Sequence, residues 1–224
     1  MNLEPLLLSF RLAAIVSLLL LAIGMPVAYW LAFSKWRGKF VLEAVVALPL
    51  VLPPTVLGFY ALIALGPHGS IGRISQALFG HALAFTFGGL VIASIFYSFP
   101  FAVQPLLAAF ESLDRRLLDA SAMLGAGRAR TFLRVIVPLA WPGLLTAVVL
   151  SFAHTLGEFG VVLMVGGNLP GITRTVSIDI YDRVQALDYE GAHNMSLVLL
   201  AISFAVLCVV YGLNRRVWRP WPAK

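Results

Sequence analysis

Five long apolar stretches decide what this chain can fold into. They fall at about residues 9–33, 41–65, 83–110, 140–165 and 195–213. A helix needs ~20 apolar residues to cross ~30 Å of hydrocarbon. Inside hydrocarbon, backbone N–H and C=O groups must be paired within the protein, which leaves helices and closed barrels. Runs of this length fit the helix. The chain is therefore expected to be all-α: a polytopic membrane bundle of five transmembrane helices. Of its 224 residues 60% are hydrophobic and only 12% charged, so a single transmembrane domain, 1–224, leaves no room for a soluble one.

A pI near 9.9 could point to nucleic acid, but the placement of the charges argues against it. One side of a five-span bundle receives the 35–39 loop, the 111–139 loop and the C-terminus. That side holds Lys35, Arg37, Lys39, Arg115, Arg116, Arg128, Arg130, Arg134, Arg215, Arg216, Arg219 and Lys224, twelve of the sixteen Lys and Arg. By the positive-inside rule this face is cytoplasmic and the N-terminus is outside. The basic balance thus records topology, and no nucleic-acid partner is expected. Glu4 sits where a signal peptide would be basic, so none is expected. The lone Cys208 allows no intrachain disulfide and reads as a small apolar packing residue.

Proline punctuates the second span at Pro49, Pro53 and Pro54. Each removes a backbone donor and crowds the preceding turn, so the helix should bend or break near Pro53-Pro54-Thr55. Such a break either lines a wet pathway or serves packing alone. Pro100 and Pro105 can kink the third span, where Gly88-Gly89 offers a close-approach face. A short helix is expected at 71–79. Another, at 177–187, is amphipathic, with Ile178, Tyr181, Val184 and Leu187 on one face and Asp179, Asp182 and Arg183 exposed. It lies on the membrane or, as the charges favour, contacts an external protein.

The longest interruption of the apolar pattern is 113–138, LDRRLLDASAMLGAGRARTFLRVIVP, with five Arg. Positions 113, 117, 120, 121 and 124 fall on one helical face. Ser112 is the expected N-cap and Gly125 the stop. A second short helix from about 128 should end before Pro138. Either the hairpin rests its arginines on anionic lipid, or its small residues let another surface approach.

Asp119-Ala120-Ser121, three residues, Gly125, nine residues, then Val135-Ile136-Val137-Pro138 resembles the EAA loop of ABC-transporter permeases of the binding-protein-dependent import class. That pattern is Glu-Ala-Ala, three residues, Gly, nine residues, Ile-x-Leu-Pro. The spacing matches throughout; Asp119, Ser121, Val135 and Val137 are conservative departures. The resemblance implies a MetI-like permease fold and a coupling helix seated on a separate ATPase subunit through Leu117, Asp119, Ala120, Ser121, Leu124, Gly125 and Pro138. The stretches 48–56 (LPLVLPPTV) and 156–160 (LGEFG), with the external 168–175, are similar to molybdate-type permeases and in part to sulfate-type ones.

Glu158 lies within the fourth span, with His154 four residues earlier. An ionisable group there is costly and normally faces the bundle interior, and a His–Glu pair is possible. A carboxylate repels a dianion, so Glu158 reads as an interhelical or gate contact, with pore lining or proton coupling as other roles. Pro53, Pro54, Thr55, His154 and Glu158 are the pathway or gate candidates, and hydroxyls such as Thr55 suit the anion. No Gly-x-x-x-x-Gly-Lys-Ser/Thr loop occurs, and His68, His81, His154 and His193 are scattered. No cofactor is expected on this chain, ATP and Mg belonging to the partner, and no enzymatic role.

The resemblance implies the multi-pass permease subunit of a bacterial inner-membrane importer for molybdate, with tungstate as a second candidate cargo. Two copies would form the pathway, with two cytoplasmic ABC ATPase subunits and a periplasmic oxyanion-binding protein, in the lipid bilayer. The alternatives are a sulfate or thiosulfate permease, an ion-coupled secondary transporter using His154 and Glu158, and a membrane scaffold.

Overall fold

The computed structural model describes residues 3–217, and the regular structure among them is all helical. The C-terminal Arg219 and Lys224 of the expected basic face lie outside the described residues. The first helix, α1 (Glu4–Phe33), begins five residues earlier than the apolar run suggests. Pro5 in its first turn and the acidic Glu4 suit a helix N-terminus. Its buried residues Leu12, Val16, Leu20, Gly24, Ala28 and Leu31 recur every three or four positions, the period of a face turned to a core.

The second span is two helices, α2 (Lys39–Val51) and α3 (Pro54–Leu65), bent by 108° across Leu52 and Pro53. Helix α4 (Ser70–Phe79) follows. The third span, α5 (Phe87–Glu111), runs unbroken through Pro100 and Pro105, and the Thr86 hydroxyl caps it by accepting the Gly89 N–H at 3.1 Å. Gly88 and Gly89 do not meet another span: both pack on the Leu83 turn just before them.

The fourth span differs from the single helix expected over 140–165. Helix α9 (Trp141–Leu156) stops at Gly157, and α10 (Gly160–Gly166) restarts after Phe159, whose φ of −128° is not helical. Glycine disfavours helix by about 1 kcal/mol relative to Ala, and two flank this break. The last helix, α12 (Tyr189–Val217), overruns the expected 195–213 at both ends. Among the described residues three helices are long and apolar enough to cross a membrane alone, and the number is five if each bent pair is one span.

Helices α1, α5 and α9 pack three ways around Leu31, Val103, Leu106, Phe110, Leu144 and Ala147. Contact is close where side chains are missing: a Cβ on Gly143 would run into the Ala109 methyl, with the Pro105 carbonyl 3.1 Å away. By contrast α2 buries only Val46, and Cys208 on α12 is exposed rather than packed.

Helix α11 (Val176–Gln185) is tied to α1 by the Val176 N–H donating to Ser9 Oγ at 2.8 Å. Of its expected apolar stripe only Ile178 is buried; Leu187 lies beyond the helix end with φ +62°. Nor is Asp179 an exposed charge. It is buried and accepts from Arg183 Nε at 2.8 Å, while Arg183 also reaches Asp188 at 2.9 Å. The Asp179 hydrogen bond, chiefly, raises the Arg183 pKa. The Gly191 N–H, first, and then Arg183 hold the Asp188 carboxyl below its ordinary value.

The tight α5–α9 crossing gives a test. Gly143→Leu should destabilise the solubilised protein by about 1–3 kcal/mol through overpacking, read as a lower Tm. An unchanged Tm would mean the two helices are not held this close.

Candidate functional site: a capped surface helix and a junction of broken spans

Helix α6 (Arg115–Met123) carries the first group of candidates. Its N-cap is Asp114, not Ser112: Asp114 Oδ1 accepts the Arg116 N–H at 2.9 Å. Ser112 instead closes α5, donating to the Ala109 carbonyl at 2.8 Å. The C-terminus does end at Gly125, which sits at φ +75°. The Gly125 N–H donates to the Ala122 carbonyl at 2.9 Å and the Ala126 N–H to the Ser121 carbonyl at 3.1 Å, a Schellman end. A Cβ on Gly125 would meet nothing within 4 Å. Glycine is needed there for its backbone conformation rather than for space.

No residue of α6 is fully buried. The expected small face is split. Leu113 and Leu118 pack against the core, and Ser121 shares a 2.9 Å hydrogen bond with Thr131. Leu117, Asp119, Ala120 and Leu124 face outward. Met123 joins them; it and Leu124 are each 88% exposed. Sequence reasoning passed over Met123, although an apolar residue just before a helix stop is a readable signal.

The second short helix does not end before Pro138. It runs from α7 (Arg128–Thr131) through a π-helical turn, Phe132–Ile136, into α8 (Val137–Leu139). Proline has no N–H to give and crowds the carbonyl four residues back. The wide turn directly before it shifts the register, with the Val137 N–H donating to the Phe132 carbonyl. The chain then bends by 73° into α9.

The second group lies where the two broken spans meet. A Cβ on Gly160 would stand 2.7 Å from Pro54 Cβ, and one on Gly58 would stand 2.7 Å from Met164 Cβ and 3.2 Å from Val161 Cα. The PPT and GEFG stretches are thus brought together. Pro53 and Thr55 are exposed at this junction; the Pro53 carbonyl accepts the Val56 and Leu57 N–H groups at 3.0 and 3.4 Å, and Pro54 has no N–H to offer.

Glu158 sits in the break between α9 and α10 and is only 4% exposed. Neither of its oxygens accepts a hydrogen bond of regular geometry; the Ser94 hydroxyl beside it, itself without another partner, is the group placed to donate to it. The possible His154–Glu158 pair is not made, because α9 ends between the two residues. His154 Nδ1 instead meets Ser98 Oγ at 2.9 Å, Ser98 meets Thr155 Oγ1 at 3.0 Å, and the imidazole stacks on Phe101 at 3.8 Å. The buried serines of α5 at 94 and 98, four apart in an apolar span, were a signal the sequence offered and the reading missed. Among the described residues no cluster of His, Cys, Asp or Glu could hold a metal ion.

Residues 24–219 match the family described as binding-protein-dependent transport system inner membrane component. Over 208 residues the chain is 53% identical to the molybdenum transport system permease protein ModB of Azotobacter vinelandii, covering 93% of this chain and 92% of that one. It is 36% identical to ModB of Escherichia coli K12, over 95% and 93%. It is also 35% identical to a probable sulfate transport system permease protein of Chlorella vulgaris, over 91% and 76%. Among solved structures the fold is similar to a chain of the inward-facing MetNI methionine ABC transporter, with a TM-score of 0.75 and 15% identity over 97% and 96% of the two chains. A bacterial alginate ABC transporter bound to its periplasmic protein gives a TM-score of 0.78 at 16% identity, over 97% and 79%. With seven-eighths of its length matched, the chain belongs to the family of inner membrane components of binding-protein-dependent transport systems.

Proposed function

We propose that this chain is the membrane permease subunit of an ATP-driven importer for molybdate, with tungstate as a second cargo of the same shape and charge. The observation that carries the cargo is the 53% identity to a molybdenum permease along nearly the whole of both chains. Sulfate is the weaker reading: its relative is about as similar as the Escherichia coli molybdenum permease, but well below the Azotobacter one.

In this reading the chain is one transmembrane domain of the bacterial inner membrane, with the basic end in the cytoplasm. Two copies form the pathway. Each offers Leu117, Asp119, Ala120, Ser121, Leu124, Gly125 and Pro138, joined by Met123, to one of two ATPase subunits. A periplasmic binding protein brings the anion to the opposite end, and ATP and Mg stay on the partner. Closure of the ATPase pair moves α6 as a lever, and the bundle switches its open side. ATP drives this only through its different affinity for the two states. Pro53, Pro54 and Thr55 line the pathway, His154 and Glu158 belong to the gate, and the Thr55 hydroxyl meets the anion.

Reconstitution with the ATPase and binding protein tests the cargo. Molybdate uptake should require ATP, compete with tungstate and survive a large excess of sulfate. Uptake driven by a proton gradient without the ATPase would sink the proposal, and full competition by sulfate would move the cargo.

Two substitutions test the residues. Gly125→Val forces a β-branched residue into the left-handed region, at about 1–2 kcal/mol, and should cut uptake while the protein still inserts. Gly125→Asn, which tolerates that conformation, should retain most of it; equal uptake by both variants would deny α6 its role. Glu158→Met removes an unpaired buried polar group, whose burial costs about 1–3 kcal/mol. It should raise Tm yet slow uptake, leaving the molybdate-to-tungstate ratio unchanged. A changed ratio would make Glu158 a cargo ligand, and unchanged uptake would remove it from the gate.

A further inference from the structure

An open-sided apolar groove of about 550 Å³ runs along α1 and ends under the start of α7. That volume is in the range of ligand sites, about 300–1,000 Å³. Its wall on α1 is Leu18, Leu21, Met25 and Tyr29, and Phe132 closes one end, edge-on to Tyr29 at 5.3 Å. Arg128, exposed, is its one charged lining residue.

Three features place the groove relative to the bilayer. The segment holding Arg128 is tilted by 73° from α9; with α9 crossing the membrane, that segment lies nearly flat at the surface. Trp30 and Trp36, 43% and 56% exposed, mark the same end of α1 as interfacial aromatics do. From Tyr29 back to Leu18 the helix covers roughly 16 Å at 1.5 Å per residue. Half of a ~30 Å hydrocarbon core is about 15 Å. The groove is therefore one leaflet deep, apolar along its length and cationic at headgroup level.

We propose that this groove holds one anionic phospholipid, an acyl chain along Leu18–Met25–Phe132 and the phosphate on Arg128. A zwitterionic lipid would fill the same apolar length but gain less from the guanidinium. Arg130 and Arg134 on the same segment add to the positive field. The inference rests on the membrane character of the chain and is independent of its cargo.

The test is native mass spectrometry of the full-length purified protein with added phosphatidylglycerol or phosphatidylcholine. Phosphatidylglycerol should be held about fivefold more strongly, the worth of one basic residue near a bilayer surface. Arg128→Gln, a surface change, should abolish that preference and spare phosphatidylcholine. Ala22→Trp, which fills the groove midway, should weaken both lipids. Equal binding of the two lipids by the unaltered protein, or an unchanged preference in Arg128→Gln, overturns the proposal. Loss of copy–copy association or of ATPase co-purification in Ala22→Trp, with lipid binding intact, also overturns it and gives the groove to a protein partner.

Discussion

Backbone contact between two broken spans is the constraint on which the rest of this structure depends. Neither break is tolerable alone in hydrocarbon, where an unpaired N–H or C=O has no water to turn to. Each helps to bury the other. Gly160 lets Pro54 reach the start of α10, and Gly58 lets α3 lie on Val161 and Met164. Proline opens the second span, glycine opens the fourth, and glycine again removes the side chains that would hold them apart. The buried Glu158 stands where α9 has stopped and α10 has not begun, so it does not pair along its own helix, and the Ser94 hydroxyl of α5 is the donor beside it.

The opposite requirement governs α6. It has no buried residue, so its rigidity comes from its ends: the Asp114 cap, the Schellman turn at Gly125 and the Ser121–Thr131 bond. Leu118 seats it on the core. What it shows outward is an apolar cluster, Leu117, Met123 and Leu124, that water does not favour. A self-capped helix with an uncovered apolar face is suited to move as a unit with whatever covers it.

Much of this was legible in the sequence. The five apolar stretches, the break at Pro53-Pro54 and the stop at Gly125 all rest on local chemistry: apolar length, proline geometry, glycine conformation. What was not legible depended on distant contacts. The fourth span reads as continuous because glycine costs a helix only about 1 kcal/mol, and the partner that makes the gap tolerable is a hundred residues away. Asp114 outcompeted Ser112 because α5 runs through Glu111 and uses Ser112 at its own end. The helix through Pro138 was missed because a π turn has no residue signature. Asp179 and Leu187 were misplaced because the docking of α11 on Ser9, not its own periodicity, decides which face is buried.

The same contacts connect the two sites. From α6 the Ser121–Thr131 bond leads into the π turn, where Phe132 meets Tyr29 of α1 at 5.3 Å and Ile136 is buried in the α1–α5–α9 core. α9 then continues to Leu156, directly before the break that holds Glu158. In the proposed reading a displacement of α6 would be passed to packed helices rather than absorbed in a loop. Packed interiors resist compression and shift between discrete arrangements, and the break at 157–159 is the place along α9–α10 where such a shift need not strain a helix.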